Sequence, residues 1–239
     1  MINEKYQFHS LLRYKNIAHG ISSKFFGSIK KDEKSLDRKA LAKFGQNLSI
    51  VEDVVCMKQI HSGTVQVVEN NAELRFSDTD ALITNKKNLP LAVLTADCLP
   101  VLFYDPKQNI IAVAHAGYKG LLNHIFENTI SRFVSNFLSD QKDIIVGIGS
   151  GIERDCYEVG EDRIEEFRKV FPSFKDMFAK KDGNFYLDLR SIARQCLIKE
   201  GILEEHIEIM DICTKCNPNF YSYRRGDKYQ RFASIISLV

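Results

Sequence analysis

Tryptophan is absent from this chain, and its 239 residues include only five prolines and six histidines. So few histidines leave a thin inventory for a multicopper centre, whose oxidation chemistry needs many imidazole ligands. Low-complexity tracts, internal repeats and long linkers are also missing, so residues 1–239 read as one domain. Charge of one sign is not concentrated anywhere. The 33 Lys and Arg against 31 Asp and Glu give a net charge of +2, which argues against nucleic acid as a partner. The longest apolar run is interrupted by Asp97 and Pro100 and falls short of the roughly 18–20 residues that span a bilayer, so no membrane partner is expected. The N-terminal MINEKYQFHS lacks the apolar core of a signal peptide, and a cytoplasmic location is expected. Six cysteines without a secretion signal read as reduced thiols, not as a disulfide framework.

What is present centres on residues 91–120, LAVLTADCLPVLFYDPKQNIIAVAHAGYKG. Two apolar runs bounded by turn residues read as neighbouring buried strands. Pairing them brings Cys98, in the first, close to His115, at the end of the second. Asp97 adds a carboxylate to an otherwise apolar run, a placement that is costly unless the group is paired or functional. His61 sits in QIHSGT, at a turn between two β-rich pieces, where a rigid scaffold presents a loop side chain. Cys98 and His115 suit either a nucleophile and its base or two ligands of a metal ion. With His61 they make a plausible ligand set for catalytic zinc, leaving a fourth position for water or substrate. Asp78 and Asp80 either hold a loop through backbone N–H groups or line the site.

The remaining chain alternates strands and helices irregularly, which gives a mixed α/β (α+β) class with several antiparallel connections. Apolar spacing predicts helices over residues 35–48 (ended by Gly45), 120–138, 162–171 and 190–201, the last capped by Asp188. His19-Gly20 reads as a turn preceding a strand, and residues 180–183 as a charged loop. Gly117 to Gly120 connect the His115 strand to a helix, where backbone amides and Lys119 would attract an anion such as phosphate. Further on, Arg224 and Arg225, beside Tyr221 and Tyr223, can clamp an anion and stack on a planar ring. Cys213-x-x-Cys216 lacks a second pair to complete a metal knuckle and reads as two thiols in a shaped loop.

The stretches KQIHSGTV, SDTDALIT, LTADCLPVLFYD, AVAHAGYKG, GIGSGIERDCYEVG, LDLR and YSYRRG stand in an order that resembles the YfiH-like family, long labelled multicopper polyphenol oxidase or laccase-domain proteins. The resemblance spans nearly the whole chain. It implies a β-sandwich-like fold flanked by helices, and a zinc-dependent purine nucleoside phosphorylase with adenosine deaminase activity. The implied substrates are phosphate with adenosine, inosine, guanosine or 5′-methylthioadenosine. The family's metal ligands fall on His61, Cys98 and His115. Two departures stand out: Tyr118-Lys119 replaces a usual Trp-Arg, and Ser23-Lys24 a usual Thr-Arg. Lysine keeps the charge but loses the bidentate fork. In the mechanism expected from these residues, Lys119, the 117–120 amides and Arg224 or Arg225 hold phosphate, and Asp97 orients or assists proton transfer. The rival readings are a hydrolase or deamidase using Cys98 and His115, a copper-dependent phenol oxidase, and a metal-sensing module without turnover.

Overall fold

The computed structural model describes residues 5–32 and 35–239; residues 1–4, where the signal-peptide reading begins, lie outside it. Alternation along the strands builds the architecture. In the Leu99–Asp105 strand, Leu99, Val101 and Phe103 face one core, whereas Leu102 and Tyr104 face another. The Ile110–Ala116 strand divides the same way, Ala112 and Ala114 to one side and Ile111 and Val113 to the other. A period of two therefore covers both faces of the sheet with apolar side chains.

Among the described residues, the six-stranded sheet has the order Ile207–Ile209, Ile145–Ile148, Leu99–Asp105, Ile110–Ala116, Ala81–Thr84, Val65–Val67. A four-stranded sheet has the order Lys5–Tyr6, Ile17–Ser22, Phe232–Leu238, Leu91–Thr95. The two pack face to face through Ile21, Leu91, Val93, Leu102, Ile111 and Val113, among others. Helices cover the outer faces. Those spanning Ile125–Phe137, Glu161–Val170 and Leu189–Lys199 pack on the larger sheet, and Arg38–Asn47 on the smaller. The result is the expected β-sandwich-like α/β fold, with apolar layers between helix and sheet and between sheet and sheet. Its large side chains matter individually: burying Phe126 or Phe133 contributes roughly 1.5–3 kcal/mol each.

Several boundaries differ from the sequence expectation. The 120–138 helix is two helices, Tyr118–Leu122 and Ile125–Phe137, separated where His124 turns left-handed at φ 59°. The break places Asn123 and Asn128 against the 61–63 loop, where Asn128 Nδ2 donates to the Gly63 carbonyl at 2.8 Å. Gly45 does not end its helix but lies inside Arg38–Asn47, packed near the Ile50 backbone and Val54. Asp37 is the N-cap of that helix, accepting from the Ala40 N–H at 3.0 Å. His19-Gly20 lies within the Ile17–Ser22 strand, paired with Ile236 and Ile235 of the C-terminal strand, and Gly20 sits close against the Leu48 side chain. The charged 180–183 stretch is the tip of a hairpin between Phe178–Lys181 and Asn184–Leu187, at the edge of a small outlying sheet. Asp188 caps Leu189–Lys199 as expected, through the Ser191 N–H.

Candidate metal centre

The antiparallel pairing of Leu99–Asp105 with Ile110–Ala116 sets Pro100 opposite His115 and Leu99 opposite Ala116. Cys98 lies one residue before the first strand, so its thiol meets the imidazole at the sheet's end. His61 joins them from the loop before Val65–Val67. The ligand atoms of His61, Cys98 and His115 all lie within 4.8 Å of one another. Cys98 Sγ is 4.0 Å from His61 Nε2, and the two imidazole rings meet nearly edge to face with centroids 4.7 Å apart. Tetrahedral zinc, with bonds of about 2.3 Å to sulfur and 2.0–2.1 Å to nitrogen, needs sulfur–nitrogen separations of roughly 3.5 Å. Small side-chain rotations bring this set to that spacing, and the donor types suit zinc or copper.

Asp80 fixes two of the three ligands at once. One oxygen accepts from His115 Nδ1 at 2.8 Å and from the His61 N–H at 3.0 Å. The other accepts from the N–H groups of Ile60 and Ser62 and from the Ser62 hydroxyl, at 3.2, 2.7 and 2.8 Å. These bonds hold His61 at φ 64°, a left-handed conformation that a histidine adopts only when its surroundings enforce it. They also commit His115 Nδ1 and leave Nε2 for a metal. Of the two alternatives for Asp80, the first applies: it organises the loop, and it backs the site from behind His115 without lining the cavity.

The electrostatics follow from this packing. Burial pushes the Asp80 carboxyl up, but His115 and Ser62 outweigh it and hold it at about 2. Burial pushes the Cys98 thiol up as well, yet the neighbouring His115 and then His61 bring it down to about 6. His115 is pushed down by burial and raised to about 9 by Cys98 and Asp80. Without a metal, the thiol and imidazole therefore favour a thiolate–imidazolium pair.

The three ligands open into a cavity of about 510 Å³. Lys30, Lys58, Arg75, Arg163, Arg224 and Arg231 line it, with Asp97 as the acid among the lining residues. Tyr118, Tyr157 and Tyr223 supply aromatic surface. Burial and the nearby Cys98 push the Tyr157 hydroxyl up to about 12, so it remains a donor. Arg163 stacks over Tyr118, its guanidinium carbon 3.8 Å from the ring centroid, and its buried Nε has no hydrogen-bond partner.

Asp97 adopts φ 90°, and both of its oxygens are engaged. One accepts from the Thr214 hydroxyl at 2.6 Å and the other from the Arg224 N–H at 2.7 Å. Tyr223 and Arg224 line the cavity, whereas Arg225 turns away. Its guanidinium donates to the carbonyls of Thr214 (2.9 Å), Lys215 (2.9 Å), Asn217 (3.2 Å) and Phe220, and pairs with Asp227. Lys119 is exposed and outside the cavity, one helical step past Tyr118, which faces in. Gly117 packs on the ligands themselves: a Cβ there would lie 2.7 Å from Cys98 Sγ and 3.1 Å from His61 Cδ2. Gly120 backs onto the His115 carbonyl, 3.1 Å from its own ideal Cβ. Arg163, Arg231, Arg75, Lys30 and Lys58 were not singled out by sequence reasoning. They converge from separate elements, and no local pattern marks them.

The family model described as multi-copper polyphenol oxidoreductase laccase matches residues 17–239. A purine nucleoside phosphorylase of Clostridium acetobutylicum is 38% identical over 181 residues, which cover 74% of this chain and 73% of the relative. Adenosine deaminase RL5, from an unknown prokaryotic organism, is 28% identical over 186 residues, covering 73% and 71%. The crystal structure of Bacillus licheniformis hypothetical protein YfiH superposes with a TM-score of 0.85 at 28% identity, over 93% of both chains.

Proposed function

The chain belongs to the multi-copper polyphenol oxidoreductase laccase family, and from that membership and its site we propose that it is a zinc-dependent purine nucleoside phosphorylase with adenosine deaminase activity. The observation that carries this reading is the meeting of a His₂Cys ligand set with a cavity whose charge is strongly positive. Phosphate is the co-substrate that such an excess of Lys and Arg suits, and the tyrosines provide a surface for a purine. The substrates are adenosine, inosine, guanosine and 5′-methylthioadenosine, cleaved to free base and the sugar 1-phosphate. Relatives named purine nucleoside phosphorylase and adenosine deaminase support the pairing of activities. Free thiols throughout, two of them 3.2 Å apart, suit a reducing compartment such as the cytoplasm. No helix among the described residues is long and apolar enough to cross a membrane.

His61, Cys98 and His115 would hold the metal, which supplies Lewis acidity and lowers the pKa of bound water when it is present. Arg163, Arg224 and their neighbours bind phosphate and offset its charge as it approaches C1′ of the ribose. Tyr157, protonated at neutral pH, offers its hydroxyl as a donor to substrate in the cavity. Asp97 holds the Thr214 and Arg224 walls in register, so any proton it receives must come from a substrate that competes with those bonds. Copper-dependent phenol oxidation fits the inventory poorly. His19 is engaged by the Phe8 N–H and His124 by Glu127, and His61 and His115 are the histidines of the cluster.

A second reading is favoured by one observation: Cys98, His115 and Asp80 line up as thiol, imidazole and carboxylate, with the thiol held at about 6. That is the arrangement of a cysteine hydrolase. Chromatography of products from adenosine and inosine, with and without phosphate and with and without a zinc chelator, separates the readings. Phosphate-dependent release of adenine or hypoxanthine, lost on chelation and in Cys98→Ala, supports the phosphorylase. Inosine formed from adenosine without phosphate shows the deaminase. Absence of nucleoside turnover by zinc-loaded protein, with amide cleavage by zinc-free protein, would replace the proposal with the hydrolase.

A further inference from the structure

Cys213-x-x-Cys216 acquires a third thiol in three dimensions. Cys156, from the short turn Arg154–Cys156, places its sulfur 3.2 Å from Cys216 Sγ, and the sulfurs of Cys156, Cys213 and Cys216 all lie within 4.8 Å of one another. The edge of a tetrahedron built on ~2.3 Å metal–sulfur bonds is roughly 3.8 Å. The Cys156–Cys216 separation is slightly shorter than that edge, and no pair in the cluster exceeds 4.8 Å.

The surrounding chain holds the cluster in place. Arg190 ties the two contributing loops together, bonding Glu153 and Asp211 at 3.2 Å each and the Ile212 carbonyl at 2.6 Å. A β-bridge between Gly151 and Cys213, and the Thr214 N–H on the Gly151 carbonyl at 3.0 Å, fix the same junction. Cys213 is buried, Cys156 half-buried and Cys216 exposed, so the cluster opens to solvent on one side.

We propose that Cys156, Cys213 and Cys216 form a second metal site, distinct from the His61–Cys98–His115 centre, which takes a soft or borderline d¹⁰ ion such as Zn²⁺ through three thiolates with solvent as the fourth ligand. Three S–H protons leave to solvent as three metal–sulfur bonds form, and no oxidant is required. A disulfide between Cys156 and Cys216 would use two of the three convergent sulfurs and leave Cys213 outside the pair, whereas three thiolates together are a donor set selective for Zn²⁺ or Cu⁺. The site is structural. Thr214, one residue past Cys213, holds Asp97, and Tyr157, one past Cys156, lines the cavity, so an ion here braces one wall of that cavity. The proposal does not rest on the nucleoside chemistry.

The test uses the full chain, purified under reducing conditions, stripped with chelator and titrated with Zn²⁺ and, separately, Co²⁺. Two equivalents per chain are expected in the wild type. Cys98→Ala should retain one equivalent together with the intense thiolate-to-cobalt charge-transfer absorption. Cys216→Ser should also retain one, with only the weaker absorption of a single thiolate. One equivalent in the wild type, abolished by Cys98→Ala, would overturn the proposal. If Cys216→Ser fails to fold, alkylation of Cys98→Ala decides: Zn²⁺ must protect Cys156, Cys213 and Cys216 from iodoacetamide, and equal labelling with and without Zn²⁺ overturns the site.

Discussion

Asp80, one residue before the Ala81–Thr84 strand, shares a 2.8 Å hydrogen bond with His115 of the neighbouring strand, and the same carboxylate gathers the backbone that carries His61. One acid thus sets the tautomer of one ligand and the loop conformation of another. A carboxylate behind a metal-bound histidine raises the basicity of the imidazole and locks its orientation.

Asp80→Asn removes the charge and offers an amide to three backbone N–H groups, one of whose interactions must be lost. Metal affinity should fall by about 10–100-fold. Competition against a chelator of known affinity measures it. An unchanged affinity would mean that the carboxylate serves the loop alone.

Gly117 tests the packing of the ligands from the other side. Its φ is ordinary, so Gly117→Ala strains no backbone; the new Cβ instead meets Cys98 Sγ at 2.7 Å and His61 Cδ2 at 3.1 Å. Neither neighbour is free to retreat without spoiling the ligand set. The variant should lose metal affinity by at least ~10-fold while the metal-free protein melts within a few degrees of wild type, since overpacking here strains a site and not the core. Equal metal affinity in both proteins would show that the ligands adapt.

The candidate ligands Cys98 and His115 were legible because thiol and imidazole stood within or at the end of apolar runs, and the turn residues bounding those runs marked them as buried strands. Cys98 and His115 then had to meet if the strands paired. The positive cavity was not legible. Arg163 comes from a helix whose apolar face includes Ile164 and Phe167, Arg75 from a two-residue strand, and Arg231 from a long loop. Long-range convergence of single charges leaves no periodic mark. Lys119 is the reverse case: local spacing pointed to it, but a helix turns each successive side chain by about 100°, Tyr118 took the inward direction, and Lys119 lies outside the cavity. Cys156 joined Cys213 and Cys216 through a loop-to-loop junction for which the sequence offers no register.

Glu208 supplies a test of stability against pH. Its carboxylate accepts from the N–H groups of His9 and Ser10 and from the Ser10 hydroxyl, at 3.0, 2.7 and 2.7 Å, pinning the first helix to the Ile207–Ile209 strand. Burial pushes its pKa up, but these bonds outweigh it and hold it below 4.5. A depressed acid stabilises the fold fully above its unfolded value and loses that contribution as pH falls through its folded value. Glu208→Gln should therefore be less stable than wild type at pH 6, with the gap closing as pH falls through the depressed carboxylate's titration. Urea midpoints across this range measure it, and a gap independent of pH would contradict the assignment.

Arg163 carries the last prediction, because its buried Nε is unpartnered and its guanidinium is held flat against Tyr118. Such a group is prepared for an anion. A charge-assisted hydrogen bond contributes about 1.5–3 kcal/mol, so Arg163→Ala should raise KM for phosphate by roughly 10–100-fold. Arg163→Lys keeps the charge without the fork and should recover part of the loss. Deamination of adenosine consumes water instead of phosphate, and its kcat and KM should change little in either variant. If the nucleoside KM rises in both reactions while the phosphate KM stays constant, Arg163 faces the purine, and Arg75, Arg224 or Arg231 must hold the phosphate.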